Sequence, residues 1–316
     1  MTTVKTAPPS SAEDAATRLA RIQPRHDRDT TARRLLASAA KHSYDPQVDI
    51  DWSEPLEEGL YGLSPEWSSL YGTPLWDSLD EEQRFRLTEH EFCSVSGVGI
   101  WFETILMQMI LRDIYDQDPA TPHVQFALTE IADECRHSIM FAKTAEKYGA
   151  PSYRPEHLSH QLGRLFKTLA HGPNLFASIL VAEEVLDIFQ RELIADERVQ
   201  PLTRAVSRIH VIEEARHMRF AREEIARRAA GMSRAQRGQQ RLVLGIVANI
   251  IIDNLVHRDA YAVVGLDPDV AVAAARTNDH YAGKLRASAE NLTTFLADAG
   301  LIGGPSARLW RRARLV

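Results

Sequence analysis

Cysteine is almost missing from this 316-residue chain: Cys93 and Cys135 are the only two, too few for a disulfide framework. Cys135 is expected to be a reduced thiol that packs as a small buried residue. An excess of basic charge is missing as well. Thirty-seven Lys and Arg stand against 43 Asp and Glu, a formal net charge of -6, so the electrostatic footprint of a nucleic-acid binder is absent. No flavin, nicotinamide or iron–sulfur motif occurs, so any redox chemistry needs electrons from outside. Residues 1–30 are rich in Ala, Thr, Ser, Pro and charge, without the apolar run of a signal peptide. They read as a flexible arm. The most apolar late run, 242–256, carries Asn249, Asp253 and Asn254; it is too short and polar to cross a bilayer and reads as a buried helix. A cytoplasmic protein without membrane contact is expected.

What the chain has in quantity is helical pattern. Residues 31–41 read as a short helix, and 43–77 as a Pro-, Gly- and Trp-rich segment wrapping the rest. Asp80-Glu81-Glu82-Gln83 opens a long helix to about 116, with acidic residues in its first turn. Further helices are expected over about 120–148, 155–171, 173–196, 201–229 and 233–264, another from Asp267-Pro268, and a last one to about 299. No period-two strand pattern stands out. The class is all-α, with residues 31–316 as a single domain.

Within these helices one short word occurs twice: Asp133-Glu134-Cys135-Arg136-His137 and Glu213-Glu214-Ala215-Arg216-His217. Glu-x-x-His on a helix places both side chains on one face. A carboxylate-bridged di-iron bundle takes two such pairs, plus one glutamate from each of two partner helices. Glu103 lies 31 residues before Glu134, and Glu183 lies 31 before Glu214. A straight helix would separate such a pair by roughly 46 Å, so a shared metal requires the chain to fold back between them. Asp116-Gln117-Asp118-Pro119 and Asp196-Glu197-Arg198-Val199-Gln200-Pro201 supply the turns near each midpoint. Glu103 and Glu183 also sit in stretches that are apolar almost all round. An uncompensated carboxylate there would cost several kcal/mol, and a metal ion is the compensation at hand. Glu184 competes with Glu183 but breaks the matched spacing.

The stretch Ile209-His210-Val211-Ile212-Glu213-Glu214-Ala215-Arg216-His217 resembles the p-aminobenzoate N-oxygenase family of ferritin-like di-iron enzymes, whose final helix reads His-x-x-x-Glu-x-x-His. The resemblance covers residues 79–228 most closely and implies a ferritin-like four-helix bundle with flanking helices. It carries a metal ligand set onto Glu103, Glu134, His137, Glu183, His210, Glu214 and His217. Multicomponent monooxygenases and acyl-carrier-protein desaturases share the Glu-x-x-His words, but His210 fits neither. The radical tyrosine of ribonucleotide reductase small subunits falls here on Phe141.

One position departs from the family pattern. Glu130, four residues before Glu134, stands where the other half has His210. Pairing with an arginine is the plainer expectation; an eighth ligand or an outer acceptor is the alternative. Asp133 and Glu213 are expected to accept the free N–H of a ligand histidine on the opposing helix, with Arg136 and Arg216 neutralising them. Asp187, one turn after Glu183, is placed near the metals or the substrate, and Gly99, Leu106 and Leu180 are candidate pocket residues.

The resemblance implies an oxidoreductase that uses two iron ions and O2 to carry an aryl amine to the hydroxylamine, nitroso or nitro level in secondary metabolism. Its electrons would come from a ferredoxin or flavin reductase, and it would be a homodimer through the apolar late helices. A ligand set with three histidines carries less negative charge than carboxylate-rich sites, which suits an amine nitrogen better than an unactivated C–H bond. A C–H hydroxylase or desaturase, or a ferritin-like ferroxidase, is the alternative.

Overall fold

A computed structural model describes residues 12–24 and 26–316 of the chain. Along it run α1 (Ala12–Ile22), α2 (Arg28–Ala39), α3 (Pro46–Asp49), α4 (Pro74–Ser78), α5 (Glu81–Ile114), α6 (Pro122–Lys147), α7 (His157–Leu169) and α8 (Pro173–Ala195). There follow α9 (Pro201–Ala230), α10 (Arg234–Asp253), α11 (Asp259–Ala262), α12 (Pro268–Arg276), α13 (Asp279–Asp298) and α14 (Ala307–Arg312). No strand occurs among the described residues. The all-α, ferritin-like class expected from the sequence is what the chain adopts.

Two helical hairpins make the centre. α5 packs along α6 and α8 along α9, and each hairpin turns where the sequence predicts. Asp80 and Gln83 form a reciprocal capping box at the start of α5. The helices α6, α8 and α9 each begin with a proline, where the missing N–H costs nothing. α5 is the one described helix long and apolar enough to cross a membrane, which the sequence reading did not credit to it. Here it lies against α6, α7 and α8 with Glu91 and Glu103 turned inward.

Three expectations are corrected. The arm expected over 1–30 is helical in its described part over Ala12–Ile22, and α2 starts at Arg28. Arg28 holds Glu224 of α9 through two bonds of 3.0 and 2.7 Å, while Thr31 donates to Glu223 at 2.6 Å. The helix expected over 233–264 breaks after Asp253. The Ser94 hydroxyl donates to the Leu255 carbonyl at 3.0 Å and accepts from the His257 N–H at 2.6 Å, so the bonds of that break go to α5. Beyond 299 the chain forms α14, whose Trp310 is fully buried.

The segment 43–77 wraps the bundle as expected, with short helical turns inside it. The Tyr61 N–H donates to the Arg198 carbonyl and the Gln200 N–H to the Tyr61 carbonyl, both at 2.9 Å. Gly62 follows, and a side chain there would meet the Glu89 Cα at 2.2 Å, so the wrap lies directly on the backbone of α5. Further along, the Ser69 N–H donates to Glu91 at 2.9 Å. Burial pushes the Glu91 carboxyl up from 4.5 to about 7, against the opposing pull of Ser69 and Ser68.

Below pH 4.5 Glu91 is protonated in both folded and unfolded chains. As pH rises toward 7 the unfolded chain ionises first, so folding stability falls by roughly 3 kcal/mol from this group and then levels off. In Glu91→Gln that loss is absent. Thermal unfolding should show the variant gaining on the parent between pH 5 and 8, and a difference that stays flat with pH would refute the assignment.

Candidate metal centre

The side chains of Glu103 on α5, Glu134 and His137 on α6, Glu183 on α8, and His210, Glu214 and His217 on α9 converge where the four helices face each other. None is more than 4% exposed. Donor atoms of Glu134, His137 and Glu214 lie within 4.8 Å of one another. The same holds for Glu103 with His137 and His210, and for Glu183 with His210 and Glu214.

The two motif histidines turn the same edge inward. His137 Nδ1 lies 3.4 Å from Glu134 Oε2 and 3.2 Å from Glu214 Oε1. His217 Nδ1 lies 3.2 Å from Glu134 Oε1 and 3.0 Å from Glu214 Oε1. Glu134 and Glu214 therefore stand between the two imidazoles. The outward nitrogens cross between the hairpins: His137 Nε2 meets Glu213 Oε2 at 2.8 Å, and His217 Nε2 meets Asp133 Oδ2 at 3.2 Å. A proton on each Nε2 leaves each Nδ1 lone pair facing the carboxylates.

Arg216 ties the two outer acids together, donating to Asp133 Oδ2 at 3.1 Å and lying 3.6 Å from Glu213 Oε1. Arg136 pairs with Asp133 and reaches Ser43 at 3.2 Å. The wrapping segment closes this layer: the Tyr44 N–H donates to Glu213 at 3.0 Å, and the His42 carbonyl accepts from Arg216 at 2.7 Å. Asp133, Arg136, Glu213 and Arg216 thus form one hydrogen-bonded layer outside the two imidazoles.

His210 points Nε2 at Glu103, Glu183 and Glu214, 3.8–3.9 Å away. Its Nδ1 meets the Gln190 side-chain oxygen at 2.8 Å, which requires the proton on Nδ1 and frees Nε2. Gln190 was not anticipated. It lies seven residues after Glu183, two turns along the same face of α8, and that register is the signal that could have found it.

Other sites fall differently from expectation. Glu184 turns away and pairs with Arg222, so Glu183 is the glutamate that faces the centre. Asp187 is bound by Arg191 at 2.8 Å on its own helix and joins no cluster of donor atoms. Leu106 and Leu180 are core residues; Gly99 alone of the three pocket candidates lines the adjoining cavity. Cys135 is exposed rather than buried, because its Glu-x-x-His neighbours claim the inward face. Glu130 is fully buried and finds no arginine.

Electrostatics shows what this centre is built for. Burial and the neighbouring Glu214, Glu134 and Glu103 hold the Glu183 carboxyl well above its ordinary range. Burial alone would lower His137 and His217, yet the surrounding carboxylates raise both well above the usual histidine range. One oxygen each of Glu183 and Glu214 is buried without a hydrogen-bond partner. An excess of inward carboxylates over imidazoles, with orphaned oxygens and inward Nδ1 atoms that hold protons tightly where positive charge is wanted, fits a pair of cations bound in N/O coordination.

A narrow cavity reaches Glu103, Glu183 and His210 from the side. Its walls are apolar and aromatic, among them Phe102, Phe141 and Phe189, and no Arg or Lys lines it.

The chain matches the family described as P-aminobenzoate N-oxygenase AurF over residues 25–300, a span that contains every residue of the centre. It is also similar to two curated proteins described as uncharacterized, Rv0885 of Mycobacterium tuberculosis and Mb0909 of Mycobacterium bovis. Identity to each is 27% over 212 residues, which covers 64% of this chain and 62% of the relative.

Gln190→Leu keeps the bulk and removes the acceptor that orients His210. Metal affinity, read by competition with a coloured chelator, should fall by about 10–100-fold, with helicity unchanged. Unchanged affinity would show that His210 is oriented by something else.

Proposed function

This chain belongs to the p-aminobenzoate N-oxygenase family, and from that premise we propose that it is an O2-dependent di-iron oxygenase that oxidises the nitrogen of an aryl amine. The observation that carries the reading is the crossed pair of imidazoles, each with its proton held by an acid of the opposite hairpin, facing two shared carboxylates beside a third imidazole. Glu103, Glu134, His137, Glu183, His210, Glu214 and His217 would hold the two irons, which when bound supply activation of O2 for transfer of oxygen to the amine.

The protein's own share is positioning and exclusion of water. Ser138 donates to Glu103 Oε2, fixing that carboxylate at the cavity end. Asp133, Glu213 and Gln190 keep three ring protons off the inward nitrogens. The aromatic walls favour a flat ring, and because the cavity beside the centre is only about 20 Å³, a substrate would enter by parting Phe102, Phe141 and Phe189. With no cation along those walls, a substrate carboxylate would enter unpaired, at a cost of several kcal/mol. The substrate class proposed is therefore a neutral aryl amine, taken stepwise toward the hydroxylamine, nitroso or nitro level. Electrons would come from a ferredoxin or a flavin reductase in the cytoplasm. The homodimer expected from the sequence has a face to use in the exposed Leu165 and Leu169 of α7 and Leu242 and Ile246 of α10.

The test loads the protein with Fe(II), supplies electrons and O2, and follows neutral aryl amines beside p-aminobenzoate by mass spectrometry. The expected result is about two irons per chain and gain of oxygen on nitrogen, with kcat/KM for a neutral amine at least about 100-fold above p-aminobenzoate. Two bound irons without oxygen on nitrogen would end the N-oxygenase reading. Preference for p-aminobenzoate would end the neutral-substrate reading.

A further inference from the structure

Glu130 is the one acid of the centre that neither the ligand set nor the outer layer uses. It lies on α6 one turn before Glu134, is 0% exposed, and both its carboxylate oxygens lack a hydrogen-bond partner. Asp133 and Glu213, by contrast, hold imidazole protons and arginine, and Glu103 takes the Ser138 hydroxyl. The charged groups that act on Glu130 most strongly are His217 and the carboxylates of Glu134, Glu214 and Asp133, so its surroundings supply mainly like charge. Its own donor atom comes within 4.8 Å of those of Glu134 and His217, each of these also within 4.8 Å of the other. On the other side of the centre His210 comes equally close to Glu183 and Glu214, and to Glu103 and His137.

The sequence offsets match that relation. Glu130 precedes Glu134 by four residues, as His210 precedes Glu214, so the two hairpins present Glu130 and His210 at equivalent positions. A buried carboxylate with two orphaned oxygens is costly. A cation held together with Glu134 and His217 relieves that cost at both oxygens. We propose that Glu130 is an eighth ligand, donating a carboxylate to the metal that Glu134 and His217 share, so that one metal has an added carboxylate where the other has the His210 imidazole. The proposal rests on the reading of the centre as a two-metal site, not on which substrate it oxidises.

The consequence is an electronically unequal pair. One metal would gain a neutral nitrogen donor on the side open to the cavity, and the other an anionic oxygen donor on the closed side. The added charge favours the oxidised form of the Glu130-bound iron, so the two irons should differ in reduction potential and in spectrum.

The experiment compares the intact iron-loaded protein with Glu130→Gln, which keeps shape and removes the charged donor. Iron per chain, release to a graded series of chelators and 57Fe Mössbauer spectra are read on both. The parent is expected to hold two irons in two distinct quadrupole doublets. In Glu130→Gln one iron should leave at about tenfold lower chelator strength, and one doublet should change while the other stays. Glu130→His, which returns a metal-binding side chain to the same place, should restore tight binding of both irons with a new second doublet, and it guards against misfolding of the Gln variant. Two irons, unaltered release and unaltered doublets in Glu130→Gln would overturn the proposal and leave the two-metal reading standing. A parent that binds no iron would overturn both.

Discussion

The centre of this bundle depends on how buried negative charge is compensated. Glu103, Glu130, Glu134, Glu183 and Glu214 are all at most 4% exposed, and the three histidines among them cannot balance five ionised carboxylates. Removing such charges from water without partners would cost more than the stability of an ordinary domain. The remaining architecture can be understood as support for one solution. Apolar helices keep water out, the hairpins bring carboxylates from 31 residues apart in sequence to one level, and hydrogen-bonded acids set each imidazole lone pair toward the interior.

That support is layered and shared between the halves. His137 on α6 is oriented by Glu213 on α9, and His217 on α9 by Asp133 on α6. The outward nitrogen of each motif histidine is thus held by the other hairpin. Arg216 then joins Asp133 to Glu213, and the segment at His42 and Tyr44 closes over them. Correct docking of the two hairpins and of the wrapping segment is therefore a condition for the imidazoles to face inward. Fold and site are one constraint here, which explains why a loop region far from the ligands in sequence packs so tightly on α5 and α9.

Much of this was legible beforehand because the chemistry repeats. Two Glu-x-x-His words, two matched intervals and turn residues near the midpoints predict the hairpins, and with them the inward face of α6 and α9. Asp133 and Glu213 draw notice for the same reason, since each directly precedes the glutamate of a Glu-x-x-His word. What stayed hidden has no repeat. Gln190 is a single polar residue in an apolar helix, and only the position of His210 across the hairpin gives it a task. The α1 helix and the break after Asp253 depend on tertiary contacts, such as the Ser94 hydroxyl serving a carbonyl and an N–H of another segment. Cys135 shows the limit of composition: cysteine is usually buried, but helical register overrides that preference one residue after an inward glutamate. Leu106 and Leu180 lie one turn from Glu103 and Glu183 in sequence, yet they are core residues because the cavity beside the centre occupies only one side of the bundle.

That one-sidedness follows from where the two-fold likeness of the hairpins fails. On the side of His210 the wall includes Gly99, where a side chain would come 3.7 Å from Phe141, and the absent bulk leaves room beside Glu103 and Glu183. On the side of Glu130, Phe126 lies one turn before it on α6 and Phe220 one turn after His217 on α9, their rings 4.9 Å apart, with Phe176 and His123 also against Phe220. One end of the centre is thus packed shut by rings and carries an extra carboxylate, while the other is opened by a glycine and carries an imidazole. The room lies at the end where Glu103, Glu183 and His210 line the cavity, so a molecule entering there passes apolar walls before it reaches charge.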